Sequence, residues 1–248
     1  MKLNYKLQGA GKPMILLHGL FGSLDNLGVI ARAFAEHYQV IQVDLRNHGL
    51  SPWSNEMNYE LMANDVIELM DFLQLSDAIF VGHSMGGKVA MYLAEQYVNR
   101  VDQLIVLDIA PANYAADSHQ AVFCGIKRCF DEQIVGRQAI ANVLQSYVST
   151  SVAQFILKSY KADKWLFNFP ALFHHYADIR GWQEVGCCFQ PVLFIKGENS
   201  HYINAENHSD IIQQFPYASI EIALNCGHNV HLENPQQVIQ LISHWLSA

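Results

Sequence analysis

Apolar and polar positions follow two different rhythms along residues 1–110. Short runs rich in apolar residues occur at 13–17, 40–43, 78–81 and 101–109, and the continuous run at 13–17 is typical of a strand covered on both faces. Segments with apolar residues at helical spacing separate them, over 27–38, 59–73 and 85–96. A looser alternation over 2–8 predicts an edge strand. This alternation of strand and helix predicts a mostly parallel sheet with helices on both faces.

The rhythm changes between residues 111 and 186, where strand-like runs disappear. Helical patterns follow one another at 118–130, 133–148, 151–160 and 165–179, the last interrupted by Pro170, and aromatic residues are frequent. Strand and helix alternate again from 191–195 through 205–215 and 219–224 to a final helix that begins near Pro235. We therefore expect a core of residues 1–110 and 187–248, with a helical cap of residues 111–186 inserted over the active edge of the sheet.

Composition narrows the possible partners of this chain. Of its 248 residues 51% are apolar, which is ample for a large buried core, and the net charge is −8. Nucleic acids and anionic membranes are bound through Lys and Arg, so neither is expected as a partner. No run approaches the roughly 20 apolar residues of a membrane span, and residues 1–9 lack a signal-peptide core. Five cysteines without a framework spacing indicate free thiols, and a cytoplasmic enzyme is expected.

The sequence Gly82-His83-Ser84-Met85-Gly86 stands where a predicted strand passes directly into a predicted helix. This is the pattern of a nucleophile elbow, in which glycines allow two backbones to approach and the serine hydroxyl is exposed at a sharp turn. The helix that begins at Met85 directs free N–H groups toward the carbonyl that Ser84 would attack. The alternative is an ordinary turn rich in small residues.

A serine nucleophile needs a base, and the base in turn needs an acid that orients it. His228 lies after the last predicted strand, in a glycine-containing loop before the final helix. It is the preferred base, although a histidine at such a position can also be a capping or surface residue. His231 is the weaker candidate and is expected to orient the loop or cap the final helix.

Motifs along nearly the whole chain resemble those of one enzyme family. They read His-Gly-Leu-Phe-Gly-Ser from His18, Asp-Leu-Arg-Asn-His-Gly from Asp44, Gly-His-Ser-Met-Gly-Gly from Gly82, Asp-Ile-Ala-Pro from Asp108 and Gly-His-Asn-Val-His from Gly227. The chain resembles an α/β-hydrolase, and within that superfamily the small bacterial esterases of the YbfF type, which are related to abhydrolase domain-containing protein 11. The resemblance implies a small-molecule acyl ester or acyl-CoA thioester as substrate, and no metal or organic cofactor.

The acid departs from the common superfamily pattern. The usual aspartate after the cap strand is absent, because that stretch reads Gly197-Glu198-Asn199-Ser200. Asp108 is preferred as the triad acid, since an apolar strand delivers it to the active edge, where a buried carboxylate needs a charged partner. Glu198 is the alternative, and Asp108 could also be a structural turn residue. Ser200 becomes either a supporting fourth member or a plain loop serine.

The oxyanion of the reaction requires two N–H donors. Met85 follows the nucleophile, and the resemblance assigns the second donor to Leu20. Arg46 is expected to brace the neighbouring loops by pairing with Asp44. The expected pocket combines core residues that would form an apolar floor for the acyl group with cap aromatics: Leu20, Phe21, Leu24, Phe123, Phe155 and Trp182.

Two other functions use the same fold. A lyase of the kind found in menaquinone synthesis would use a similar triad as a base for elimination, and a ligand receptor would not use it at all. An intact Ser84, Asp108 and His228 argues against the receptor. A haloalkane dehalogenase is disfavoured because it needs a carboxylate where Ser84 stands. Lys88, Lys127 and Arg128 could bind the phosphates of CoA or could be surface charges. The sequence does not indicate the oligomeric state.

Overall fold

A mixed seven-stranded sheet organises the chain in the computed structural model, which describes residues 1–115, 119–183 and 186–247. The strands of the described residues are β1 (Tyr5–Gln8), β2 (Lys12–Leu17), β3 (Tyr38–Val43), β4 (Ala78–His83), β5 (Val101–Leu107), β6 (Tyr160–Lys161), β7 (Lys164–Trp165), β8 (Val192–Gly197) and β9 (Ala218–Ala223). The large sheet has the order β1-β3-β2-β4-β5-β8-β9. All its pairs are parallel except β1 with β3, so the predicted parallel sheet with an edge strand at 2–8 is confirmed.

Helices cover both faces of this sheet, as predicted. They are α1 (Gly28–Phe34), α2 (Tyr59–Phe72), α3 (Met85–Gln96), α4 (Gln120–Asp131), α5 (Arg137–Gln145), α6 (Thr150–Leu157), α7 (Phe169–His174), α8 (Tyr176–Arg180), α9 (Ala205–Gln214), α10 (Val230–Glu233) and α11 (Pro235–Ser247). Successive residues of a strand point to opposite faces. Met14 and Leu16 of β2 therefore join the cluster under α1 and α11, whereas Ile15 and Leu17 join the cluster under α2, α3 and α9.

Helices α4 to α8 lie between β5 and β8, but the prediction of helices alone was wrong in this segment. Strands β6 and β7 form an antiparallel hairpin whose two turn residues, Ala162 and Asp163, have positive φ angles of 49° and 56°. Pro170 lies in the first turn of α7, where a backbone N–H has no intrahelical acceptor, so a proline there costs no hydrogen bond. Pro170 therefore begins a helix and does not break one.

Helix α5 begins later than predicted. Gln133 and Gly136 before it have positive φ angles of 53° and 90°, which a helix does not accommodate. The predicted start of the first cap helix at residue 118 lies outside the described residues, as do 116–117 and 184–185. The division into a core and a cap stays a prediction.

A buried lysine joins helix α3 to both connections of the segment between β5 and β8. Lys88 Nζ donates to Ala112 O at 2.8 Å, to Arg180 O at 3.0 Å and to Gly181 O at 2.8 Å. Its ammonium group also lies 4.7 Å from the ring centre of Tyr114. Burial and the charge of Arg180 lower the pKa of Lys88 to about 7, whereas the carbonyl acceptors favour the ammonium form. None of the helices in the described ranges is both long and apolar enough to span a membrane.

Candidate active site

Ser84 lies on the sharp turn between β4 and α3. Its φ and ψ angles are 53° and −120°, a conformation that a non-glycine residue rarely adopts. A Cβ on Gly82 would lie 2.3 Å from Gly86 O, and one on Gly86 would lie 2.3 Å from Leu17 O, so both positions require glycine. The turn therefore has the close backbone packing of a nucleophile elbow.

His228 reaches Ser84 from the loop between β9 and α10. Its Nε2 lies 3.0 Å from Ser84 Oγ, and its Nδ1 lies 2.8 Å from Asp108 Oδ2. Glu233 holds the loop in place because its carboxylate accepts hydrogen bonds from Gly227 N at 2.7 Å and Asn229 N at 3.2 Å. The three side chains thus form one continuous hydrogen-bonded chain from hydroxyl to imidazole to carboxylate.

Asp108 is fully buried at the end of β5, with a positive φ of 51°. Its Oδ1 accepts from Gly197 N at 2.8 Å, and its Oδ2 accepts from the Ser200 hydroxyl as well as facing His228. Glu198, the alternative acid, is exposed and accepts a hydrogen bond from Asn225 N at 2.8 Å. The geometry therefore favours Asp108 over Glu198 and brings Ser200 to the same carboxylate.

The two expected oxyanion donors lie beside the nucleophile. Leu20, Met85 and Ser84 line one small cavity, and the N–H of Met85 has no intrahelical acceptor because it opens α3. The loop that carries Leu20 packs tightly on the elbow, since a Cβ on Gly19 would lie 3.2 Å from Ser84 Cβ. This arrangement can present two backbone donors to one oxygen.

Two histidines near this loop bind backbone groups. His48 Nε2 accepts from Phe21 N at 3.2 Å, and His18 Nε2 accepts from Leu45 N at 3.1 Å. Burial lowers the pKa of His18 to about 4 and that of His48 to about 3. Both are therefore neutral and hold the loops behind the nucleophile.

The sequence suggested that Arg46 pairs with Asp44, but the structure shows a different partner. Its guanidinium group binds both carboxylate oxygens of Asp65 on α2, at 2.5 and 2.9 Å. Asp44 is instead occupied by the backbone N–H groups of Leu24 at 2.7 Å and Leu50 at 2.9 Å. Both carboxylates are buried and fully engaged in bracing loops.

Two cavities meet at Ser84. The larger has a volume of about 250 Å³ and a mostly apolar wall. Its lining includes Leu20, Phe21, Val122, Val152, Phe155 and Ile156, together with Ser84, His228 and Asn229. The smaller has a volume of about 30 Å³ and reaches Tyr59, Lys88, Ile109 and Tyr114. Of the expected pocket residues, Leu20, Phe21 and Phe155 line the larger cavity.

The other three expected pocket residues lie elsewhere. Leu24 opens a short 3₁₀ helix, where its N–H is held by Asp44, and it lines neither cavity. Phe123 is buried behind Phe21, with ring centres 5.2 Å apart. Trp182 lines a separate groove, and its Nε1 donates to Gln214 Oε1 at 2.8 Å. Aromatic character in the sequence could not separate packing residues from lining residues.

Three residues that the sequence analysis did not select surround the base. The ring of Tyr202 stacks on His228 with centres 3.8 Å apart. Its hydroxyl lies 3.1 Å from His119 Nε2, and His119 Nδ1 lies 2.8 Å from the Tyr176 hydroxyl. Burial lowers the pKa of His119 to about 4. The only signal in the sequence was the position of Tyr202 two residues after Ser200.

His231 neither caps the final helix nor faces Ser84. It is buried against His83, with ring centres 4.5 Å apart, and neither ring nitrogen has a hydrogen-bond partner among the described residues. His83 Nε2 in turn donates to His228 O at 2.9 Å. His231 therefore supports the loop of His228 through packing. Within 1–115, 119–183 and 186–247, no group of three or more His, Cys, Asp or Glu side chains could hold a metal ion.

Comparison with known proteins identifies the fold family and similar esterases. A family model described as alpha/beta hydrolase fold matches residues 12–235. Esterase YbfF of Escherichia coli (strain K12) is 41% identical over 253 aligned positions, which cover 100% of both chains. The sn-1-specific diacylglycerol lipase ABHD11 of Mus musculus is 34% identical, over 94% of this chain and 80% of the lipase. A solved marine microorganism esterase is 33% identical with a TM-score of 0.93 and covers 98% of both chains.

Proposed function

The chain belongs to the α/β-hydrolase fold family as a carboxylic ester hydrolase of the YbfF type, and we propose that Ser84, His228 and Asp108 are its catalytic residues. The observation that carries the proposal is the unbroken chain from Ser84 Oγ to His228 at 3.0 Å and from His228 to Asp108 at 2.8 Å. Such a chain makes a serine hydroxyl nucleophilic at neutral pH.

The reaction then proceeds in two halves. Ser84 Oγ forms a bond to the ester carbonyl carbon while its proton passes to His228 Nε2, and the N–H groups of Leu20 and Met85 stabilise the oxyanion. The bond to the leaving oxygen breaks as His228 returns the proton to it, which leaves an acyl group on Ser84. Water attacks that acyl-enzyme, gives its proton to His228, and releases the carboxylic acid with Ser84 restored.

Asp108 and Ser200 act on the base. The Asp108 carboxylate holds His228 with Nε2 toward Ser84 and stabilises the imidazolium ion that forms. Ser200 donates to the same carboxylate oxygen that faces His228, so we propose it as a supporting fourth member. Together with the amide of Gly197, it fixes the direction of the Asp108 carboxylate.

Thioesters of CoA are a secondary part of this proposal, because the same attack applies to a thioester carbonyl. The three cations considered for the phosphates of CoA have other partners in the structure. Lys88 is buried and donates to carbonyls, whereas Lys127 and Arg128 form exposed ion pairs with Asp131 at 2.6 Å and Glu132 at 2.9 Å on α4. Release of CoA from butyryl-CoA, followed with a thiol reagent, tests this part independently.

The test of the main proposal combines a fluorophosphonate probe with turnover of p-nitrophenyl esters. We expect the protein to be labelled and to release p-nitrophenol, and Ser84→Ala to lose both. A protein that is labelled but hydrolyses no ester of any acyl length would instead favour a lyase. Absence of labelling would exclude an activated serine at this position.

A further inference from the structure

The two cavities that meet at Ser84 differ in whether they contact the base. Ser84, Leu20, His119 and Tyr202 line both. Among the described residues, His228 and Asn229 line only the larger cavity, whereas Met85 lines only the smaller one. The site is therefore asymmetric about the nucleophile. A bound ester has to place its acyl arm in one cavity and its alcohol arm in the other.

The chemistry decides which arm goes where. The leaving oxygen must come within hydrogen-bond reach of His228 Nε2 to receive its proton. The alcohol arm then lies in the cavity of about 250 Å³ that His228 lines. The acyl arm is left with the cavity of about 30 Å³, which is enough space for about two water molecules. A short acyl chain fits such a space and a long one does not.

We propose that this enzyme is selective for short-chain acyl esters, acetyl above all, of bulky apolar alcohols, and that Tyr59 is the residue that limits acyl length. This inference rests on the proposed serine hydrolase function and adds its substrate class. It also reassigns Phe21, which the sequence suggested for the acyl floor, to the alcohol side, together with Phe155.

Tyr59 is suited to this role because its side chain separates the small cavity from a larger groove. It lines the small acyl cavity and also a groove of about 400 Å³ between α2 and the segment around Trp182. Its hydroxyl donates to Ile179 O, and its ring lies 5.9 Å from the ring of Trp182. Tyr59 is thus fixed at both ends, and shortening it would join the acyl cavity to the groove.

The first experiment measures kcat/KM on two substrate ladders with the wild-type protein. One keeps p-nitrophenol as the leaving group and lengthens the acyl chain from acetate to butyrate, hexanoate and decanoate. The other keeps acetate and enlarges the alcohol from methyl to butyl and hexyl, so that the acidity of the leaving alcohol stays nearly constant. Since misfit of a methylene in a close pocket reduces kcat/KM about 10-fold or more, we expect acetate to exceed hexanoate by roughly 100-fold. The alcohol ladder is expected to rise with size.

The second experiment shortens the side chain of Tyr59. In Tyr59→Ala we expect the acetate-to-hexanoate ratio to fall by about 10-fold or more, because the longer chain can enter the groove. Tyr59→Phe is the matched control, since it keeps the ring and should keep the ratio. Ile109→Ala enlarges the same cavity without touching Tyr59 and serves if the first variant does not fold. Phe155→Ala should lower kcat/KM for hexyl acetate but keep the acyl ratio.

The outcomes separate this inference from the proposed function. A wild type that hydrolyses hexanoate or decanoate as well as acetate overturns the acyl assignment while leaving the serine hydrolase intact. The same holds if Phe155→Ala, and neither Tyr59→Ala nor Ile109→Ala, changes the acyl ratio. If no ester is hydrolysed above the Ser84→Ala background, the proposed function itself has failed.

Discussion

At the scale of single residues, the carboxylate of Asp108 accepts more hydrogen bonds than it needs to orient the base. His228, Ser200 and the amide of Gly197 all donate to it, and it is fully buried. These donors satisfy the hydrogen-bonding capacity of the buried carboxylate and fix its direction toward His228. Ser200 thereby occupies a place that the common superfamily pattern gives to an aspartate.

Substitution at three positions tests this assignment. Asp108→Asn is expected to reduce kcat by about 10⁴-fold, because an amide at this place favours the wrong imidazole tautomer. Ser200→Ala removes one charge-assisted hydrogen bond, so we expect a loss of roughly 10-fold. Glu198→Gln is the control, since Glu198 is exposed and its carboxylate accepts a hydrogen bond from Asn225 N. The measurement is kcat on p-nitrophenyl acetate.

A large loss in Glu198→Gln, with Asp108→Asn near the wild type, would move the acid to Glu198. The sequence alone allowed both because it shows only that each carboxylate follows a strand. Ser84 and His228 were easier to select, since the glycines and the late loop are local signals. The ring of Tyr202 against His228 could not be predicted, because no local pattern indicates contacts between residues so far apart in the chain.

At the scale of elements, Lys88 connects helix α3 to both ends of the segment between β5 and β8. Its carbonyl acceptors belong to Ala112 on one connection and to Arg180 and Gly181 on the other. Because α3 also begins directly after Ser84, the hydrogen bonds of Lys88 link the nucleophile elbow to the segment between β5 and β8. Both connections of this segment are thus held by a residue four positions after Ser84.

Lys88→Met is expected to lower the free energy of unfolding by about 3 kcal/mol or more, because it leaves buried carbonyls without their donor. Lys127→Met is the matched control on α4, where the ion pair with Asp131 is exposed and a change within about 1 kcal/mol is expected. Urea denaturation followed by circular dichroism measures both. Equal stability of the two variants would mean that Lys88 does not carry this connection.

The elements of the sheet were more predictable than those of the cap. Runs rich in apolar residues between helical patterns identify buried parallel strands, and helix α3 was predicted with its bounds of Met85–Gln96. The hairpin of β6 and β7 was missed because two-residue strands are too short for a periodic signal. Phe167 pairs through its backbone with His48, a contact that only the folded chain creates.

For the whole molecule, buried neutral histidines should make stability sensitive to acid. Burial lowers the pKa of His18 and His119 to about 4 and that of His48 and His231 to about 3, and it also lowers the pKa of His83. In the unfolded chain a histidine has a pKa of about 6.5. Between pH 6.5 and about 4 the unfolded state therefore binds protons that the folded state excludes.

The free energy of unfolding is therefore expected to fall as the pH drops from 6.5 toward 4. Each such histidine contributes up to about 1.4 kcal/mol per pH unit. His231→Phe should reduce the slope by about one proton, whereas His208→Gln, on the exposed surface of α9, should not change it. Urea titrations at pH 7.5, 6 and 5 measure these slopes. Equal stability at pH 7.5 and 5 would contradict the prediction.

Ser84 and Asp108 share a backbone feature whose consequence reaches beyond catalysis. Both have positive φ angles, 53° and 51°, at the ends of neighbouring parallel strands, and such conformations favour glycine over other residues. At Ser84, selection for heat resistance alone would therefore tend to introduce glycine and erase the proposed chemistry. A side chain kept at this turn is thus a marker of retained activity when diverged copies of the fold are compared.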